Sequence, residues 1–345
     1  MHYRYQKLGG SSAPGWTVIP CELVEENGQI LKDLVLRISE EWGFSASFID
    51  WLKHSNRFCD TLVDRIVTGY PRERITYFRE KLGYEDELLT VGEPYHLFII
   101  DAVDEVAKAL PFDKAGLNVK WGDVSPFREL KVRLLNGPHT MMFAASYLSG
   151  ADTVLEAMED HSLRSFIEQG LYQEIYPLVR MEEKEKESFV HAVIERFLNP
   201  YNKHYLTDIG MNAIYKFKTR LIPTLLQYVE ANRTLPQALT FSLAALFVYY
   251  RSERRDGAFL VGKRGETEYQ IRDQKEALAA MEDGWNAFDG SDESLSVLTK
   301  RILSQTGLWG CDLLSIPGLA VQVTEDLRSI LDVGTKEALK KKFMH

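Results

Sequence analysis

Apolar residues recur at helical spacing along most of the chain. After Asn27-Gly28, the residues Ile30, Leu31, Leu34, Val35, Ile38 and Trp42 follow a 3.6-residue period, with Gly43 placed to end the helix. Ser45 restarts a second helix through Phe48, Trp51 and Leu52. From Pro126 onward the pattern predicts helices almost without interruption. They fall near 126–149, 151–158, 162–178, 183–197, 203–217, 219–231 and 236–251, then 273–288, 292–306, 319–333 and a short one from Thr335. Asn199-Pro200 and Ile222-Pro223 punctuate this run.

Extended segments are few. Trp16-Thr17-Val18-Ile19-Pro20, 61–67, 95–101 and 118–121 read as short strands, with a charged helical piece between 67 and 95. The first has no partner nearby in sequence, and a strand needs one to pair its backbone. Residues 258–261 and 269–271 read as hairpin arms around Gly262 and Gly265. The fold class predicted is therefore mainly α, with a small β element inside 60–122.

One helix carries the candidate chemistry. Ser125 can cap it, Pro126 suits its first turn, and Phe127, Leu130, Leu134, Leu135, Met141 and Met142 form its apolar stripe. Lys131, Asn136 and His139 fall within an arc of roughly 140° on its other side. Gly137-Pro138 interrupts it, and Pro138 has no N–H for the carbonyl of Leu134, so a kink beside Asn136 is expected. On the residues alone, a plain polar helix face accounts for this triplet better than a site does.

Composition narrows the function classes. The chain has 345 residues, 45% hydrophobic and 26% charged, as in ordinary globular proteins. Its net charge of −9 argues against nucleic acid as a partner. Cys21, Cys59 and Cys311 show no metal or disulfide spacing and read as free thiols in a reducing cytoplasm. The longest apolar run, Leu239–Tyr250, is shorter than the about 20 residues a membrane span needs, and the start of the chain lacks a signal-peptide core. Glu182–Glu187 reads as a solvated helix start, and Lys340-Lys341-Lys342 suits a helix C-terminus rather than a membrane anchor. His96, His161 and His191 show no ligand spacing, so no metal is expected. There is no GxGxxG, P-loop or HExxH.

Literal strings add to this reading. Trp16-Thr17-Val18-Ile19-Pro20-Cys21-Glu22, Asn27-Gly28, Thr61–Pro71 with its Val63-Asp64-Arg65, the segment Lys131–His139, and Arg196-Phe197-Leu198-Asn199-Pro200 together resemble the polyol-specific long-chain (mannitol) dehydrogenase family. The likeness is nearest its hexuronate branch and spans nearly the whole chain. The resemblance implies a multi-helical C-terminal domain like that of 6-phosphogluconate dehydrogenase. It implies metal-free, NAD-dependent interconversion of a keto-hexuronate (tagaturonate) and its aldonate (altronate). By the same resemblance Lys131 is the acid/base, Asn136 donates to the developing oxyanion, and His139 holds a substrate oxygen. Asp64 shapes the site, with a local salt bridge or cap as its competing role, and Lys216 contacts substrate oxygens, with simple solvation as its competing role.

Two departures bear on substrate. Cys21 is followed by Glu22 and Leu23 where mannitol-type members carry Asp-Asn, leaving Asn27 as a substitute, and Asp208 stands where they carry an arginine. Both argue against mannitol. A sugar-acid carboxylate needs cations, for which Lys216, Arg220 and His204 are the candidates.

In the family a Rossmann domain precedes these strings. The expectation is thus that residues 1–25 are a remnant of the NAD-binding domain and 26–345 the helical substrate-binding and catalytic domain. No cofactor-binding residue is identified. A chain of that kind would be inactive alone and would need an absent or separate Rossmann domain as partner. The alternatives are a non-catalytic sugar-acid-binding or partner protein on this fold, another polyol 2-dehydrogenase, or a metal-dependent hydrolase using His139.

Overall fold

The computed structural model describes residues 1–344, the side chain of Asp113 excepted. The chain divides into two compact units between Glu129 and Leu130, rather than after residue 25.

The first unit mixes helices and short strands: α1 (His2–Lys7), β1 (Thr17–Val18), α2 (Asn27–Glu41), α3 (Ala46–Ser55), β2 (Arg57–Phe58), β3 (Thr61–Asp64), β4 (Val67–Gly69), α4 (Ile75–Leu82), β5 (Val91–Gly92), β6 (Leu97–Ile100), α5 (Asp104–Ala109) and β7 (Val119–Trp121). The strand at Thr17 is not an orphan. It pairs in parallel with β2, Thr17 with Arg57 and Val18 with Phe58, and α2 and α3 form the crossover. A second parallel pair, β6 with β7, has α5 in its crossover, while β3 lies antiparallel on the other edge of β6. Two β–helix–β crossovers make this unit α/β, so the assignment of residues 26–129 to the helical domain, with only a small β element, is corrected here.

Its apolar stripe splits. Val35 and Leu36 pack on Phe48, Trp51 and Leu52, whereas Ile30, Leu34, Ile38 and Trp42 are exposed. Ser45 caps α3 as its sequence predicts, accepting from the Phe48 N–H at 3.3 Å.

The second unit is helical. α6 (Ser125–Lys131), which runs across the division, leads through a π turn into α7 (Gly137–Leu148), followed by α8 (Val154–Glu159), α9 (His161–Gln169), α10 (Glu183–Phe197), α11 (Leu206–Ile209), α12 (Ala213–Arg220), α13 (Ile222–Asn232) and α14 (Gln237–Tyr249). A three-stranded antiparallel sheet follows: β8 (Ser252–Asp256), β9 (Phe259–Arg264) and β10 (Thr267–Ile271), in the order β10-β9-β8. Helices α15 (Lys275–Asn286), α16 (Asp292–Leu303), α17 (Thr306–Trp309), α18 (Leu319–Val333) and α19 (Thr335–Phe343) complete it.

The core is built on α7 and α14. Every residue from Gly137 to Tyr147 is buried, as are nearly all of α14, and Ser242 Oγ donates to the Met141 carbonyl at 2.8 Å to tie the two. Helix α14 begins after Pro236 with no capping side chain of its own. Glu174 supplies the cap instead, accepting from the N–H groups of Ala238 (2.7 Å) and Leu239 (2.9 Å). Burial outweighs those bonds and pushes the Glu174 carboxyl up to about 7. Glu174 lies in a second π turn, Gly170–Ile175, whose Gly170 has Met141 and Ala238 where a Cβ would stand. At the C-terminus the lysine run divides: Lys342 is drawn into an ion pair with buried Asp326 at 2.6 Å, and Lys340 pairs with Glu337 at 2.7 Å.

Candidate active site

The expected break in the α6–α7 helix is a π turn over Val132–Asn136, with the Gly137 N–H bonded to the Val132 carbonyl five residues back. Its cause is local. Restarting the α-helix at Gly137 places Pro138 in a first turn, where a missing N–H costs nothing. An unbroken α-helix would separate Lys131 and Asn136 by about 140°. The wider i→i+5 turn brings residues five apart towards one side. The kink therefore changes how the candidate residues line up.

His139, one turn further on, is 5% exposed. Its ring lies 4.5 Å from that of Phe197 and 4.8 Å, edge-on, from that of His204. Burial holds it well below the usual histidine range, helped by His204, Arg196, Arg220 and Lys216. Its Nε2 is buried and has no hydrogen-bond partner among the described residues. His204 is pulled down to about 4 by burial, then by Lys216 and Arg196. Lys216 is lowered to about 8, first by burial and then by Arg220, against the opposing pull of Asp273 and Asp208. Burial lowers Arg220 as well.

Two of these groups are anchored. Lys216 Nζ donates to the Ile209 carbonyl at 3.0 Å, and Arg220 Nη1 donates to Thr140 Oγ1 at 3.1 Å. The Thr140 hydroxyl in turn donates to the Asn136 carbonyl at 2.9 Å. Two neutral imidazoles thus sit beside buried Arg196 and half-buried Lys216 and Arg220, an arrangement that favours an anion with hydroxyl groups.

The structure gathers His139, His204, Lys216 and Arg220, four of the residues expected from sequence. Half-buried Lys131 precedes the π turn that leads to them, and half-buried Asn136 is its last residue. Asp64 and Asn27 belong to the first unit and are buried there, 2% and 4% exposed. The Asn27 amide is fully committed. Its Nδ2 donates to the carbonyls of Pro20 (3.4 Å) and Glu22 (3.0 Å) and to Thr61 Oγ1 (2.9 Å), and its Oδ1 accepts from the Thr61 N–H (2.9 Å). Asn27 braces the loop before α2 rather than presenting a free amide. Sequence reasoning missed Arg196 and Thr140 as members of the cluster. Arg196 interrupts the buried face Phe189, Val193, Phe197 of α10, and Thr140 interrupts an apolar run, so a polar residue on a core face was the available signal.

Among the described residues no three His, Cys, Asp or Glu side chains are placed to hold a metal ion. Among them, too, no helix is long and apolar enough to cross a membrane.

Residues 123–331 match the family model of the mannitol dehydrogenase C-terminal domain, and residues 3–114 match that of the mannitol dehydrogenase Rossmann domain. The chain belongs to the mannitol dehydrogenase family. It is 49% identical over 337 residues to an altronate oxidoreductase of Halalkalibacterium halodurans, covering 98% of this chain and 66% of that protein. An altronate oxidoreductase of Escherichia coli O1:K1 is 42% identical over 338 residues, covering 98% and 68%. Among solved structures, Pseudomonas fluorescens mannitol 2-dehydrogenase in ternary complex with NAD and D-mannitol superposes with a TM-score of 0.72 at 20% identity, covering 96% of this chain and 63% of that one. A substrate-free D-sorbitol dehydrogenase gives 0.74 at 21%, covering 97% and 64%. The chain thus spans about two thirds of the length of the relatives it matches.

The Rossmann match overturns one expectation. The cofactor domain is not confined to residues 1–25; its family model runs through residue 114, across the α/β unit. The expectation that the binding domain is absent, and the expected inactivity that rested on it, fall with that finding. The cause of the misreading was the missing glycine-rich turn, taken as a sign of the whole domain when it marks only one part.

Proposed function

We propose that this protein is an NAD-dependent oxidoreductase interconverting a keto-hexuronate and its aldonate, with tagaturonate and altronate as the pair. The observation that carries the reading is the buried, unpartnered Nε2 of His139 beside Arg196, Lys216, Arg220 and His204. Asp273 and Asp208 offset the Lys216 charge only in part, so a sugar acid adds a favourable counter-charge that a neutral polyol does not. The altronate oxidoreductase relatives support the same substrate class.

In this scheme Lys216 and Arg220 hold the carboxylate, and His139 Nε2 bonds an oxygen near the reacting carbon. In the oxidation direction Lys131, as the neutral amine, takes the proton of the reacting hydroxyl, and the Asn136 amide stabilises the alkoxide. Bound NAD supplies the hydride acceptor. The first unit carries no GxGxxG turn. Its polar cleft of about 360 Å³, lined by Trp16, Lys32, His54 and Arg57, lies beside the N-terminal ends of β1 and β2. Open α/β sheets bind ligands beyond the opposite, carboxyl ends. No residue is therefore assigned to the cofactor.

A second reading of the acid/base has its own support. Lys216, at about 8, lies in the range that suits proton transfer near neutral pH. The deciding experiment measures altronate binding by calorimetry and NADH formation across pH for the wild type, Lys131→Met and Lys216→Met. Under the main reading Lys131→Met loses turnover by about 10³-fold or more and keeps altronate binding, while Lys216→Met loses binding. The reverse pattern transfers the acid/base role to Lys216. A chain that prefers altritol to altronate would sink the sugar-acid reading.

A further inference from the structure

We infer that Thr140 is a positioning residue that couples carboxylate recognition at Arg220 to the placement of Asn136. The inference rests on the sugar-acid reading above and deepens it. Thr140 is 1% exposed, and both sides of its hydroxyl are in use. Arg220 Nη1 donates to the oxygen at 3.1 Å, and the hydroxyl hydrogen goes to the Asn136 carbonyl at 2.9 Å. A charged donor on one side polarises the O–H and strengthens the bond on the other.

The carbonyl that receives this bond belongs to the last residue of the π turn, Val132–Asn136. A hydroxyl bonded to the carbonyl four residues back tilts a helix locally, so this contact acts on backbone that already departs from α geometry. Arg220 lies on α12 and Asn136 on the turn before α7, so the two are distant in sequence. The Thr140 hydroxyl bonds to both. A carboxylate that draws the Arg220 guanidinium towards itself alters its bond to Thr140, and through Thr140 the position of Asn136. The site would thereby set its oxyanion donor in register only when an acid, rather than a neutral polyol, is bound.

The test uses the full chain with NADH present. Calorimetry gives the affinity for altronate and for altritol, and hydrogen exchange follows the peptide spanning 132–142 with and without altronate. In the wild type altronate slows exchange in that peptide. Thr140→Val, which keeps the shape and removes the hydroxyl, is expected to weaken altronate about tenfold, leave altritol unchanged and abolish the exchange response. Thr140→Ser is expected to restore both. A residue that only packed the core would alter the melting temperature without this selectivity for the acid. If altronate binds the wild type but Thr140→Val leaves both its affinity and the exchange response intact, the coupling role is overturned alone. If altronate does not bind the wild type, or if Arg220→Met leaves its affinity unchanged, the sugar-acid reading itself fails and the coupling goes with it.

Discussion

Lys216 holds a charge where the fold disfavours one. Burial is the larger cause, Arg220 the second, and together they bring its ammonium to about 8. A lysine lowered in the folded state binds fewer protons there than when unfolded, so stability rises with pH between about 8 and 10.5 and the full penalty applies below 8. Lys216→Met is expected to stabilise the free protein at pH 7 by on the order of 1 kcal/mol, after allowing for solvent screening at this partly exposed group. The same change should cost at least about tenfold in altronate affinity, since a carboxylate then faces one cation fewer. Chemical denaturation and calorimetry on one preparation check both halves. A variant both less stable and unimpaired in binding would show that Lys216 serves the fold. His204 adds a second window. Lowered to about 4, it disfavours folding progressively as pH falls from about 6.5 towards 4. His204→Gln should flatten the fall of stability with acid in that range, measured by urea unfolding at closely spaced pH values.

The two π turns show how far elements were legible in the sequence. Helices α10 and α18 fall on their expected ranges because apolar periodicity and clear ends coincide there. The break near Asn136 was also legible, since a proline inside a periodic run forces one. Its form was not, because whether a chain kinks or widens depends on what packs around it. The second π turn, Gly170–Ile175, lies inside a stretch that reads as one continuous helix, and the packing of Gly170 against α7 and α14 left no trace in the period. Strand β8 was invisible for another reason: Ser252–Asp256 is exposed and polar, and only its pairing with β9 makes it a strand. Pro138→Ala tests the first turn. It removes the reason for restarting the helix at Gly137, and a relaxed α-helix would swing Lys131 by about 100° relative to His139. Turnover is expected to fall about 10²-fold with stability changed by less than about 1 kcal/mol. Unchanged turnover would mean the π turn has no part in aligning the site. Glu174→Ala tests the second. It strands two buried N–H groups at the start of α14 and should cost about 2–3 kcal/mol. Because the Glu174 carboxyl sits at about 7, the wild type loses part of this element's stability as pH rises from about 4.5 to 7.

Over the whole molecule the two units differ in how much holds them together. The first relies on sheets of two and three strands, with Ile30, Leu34, Ile38 and Trp42 of α2 exposed. Sheets that small are marginal without extensive packing. The second centres on α7 and α14, buried along nearly their whole length. Unequal cores predict unequal melting, and the tryptophans allow it to be seen. Trp16, Trp42, Trp51 and Trp121 belong to the first unit, and Trp285 and Trp309 to the second. Fluorescence therefore reports mainly on the α/β unit, whereas far-ultraviolet circular dichroism is dominated by the helices of the second. The fluorescence midpoint is expected below the dichroism midpoint by several degrees, a departure from two-state unfolding. In the proposed scheme altronate contacts the cation cluster, whose residues all belong to the second unit, and a ligand stabilises what it binds. Saturating altronate should then raise the dichroism midpoint and leave the fluorescence midpoint in place, widening the gap. Coincident midpoints that move together would show that the two units unfold as one, and the stability of the site could no longer be assigned to the helical unit alone.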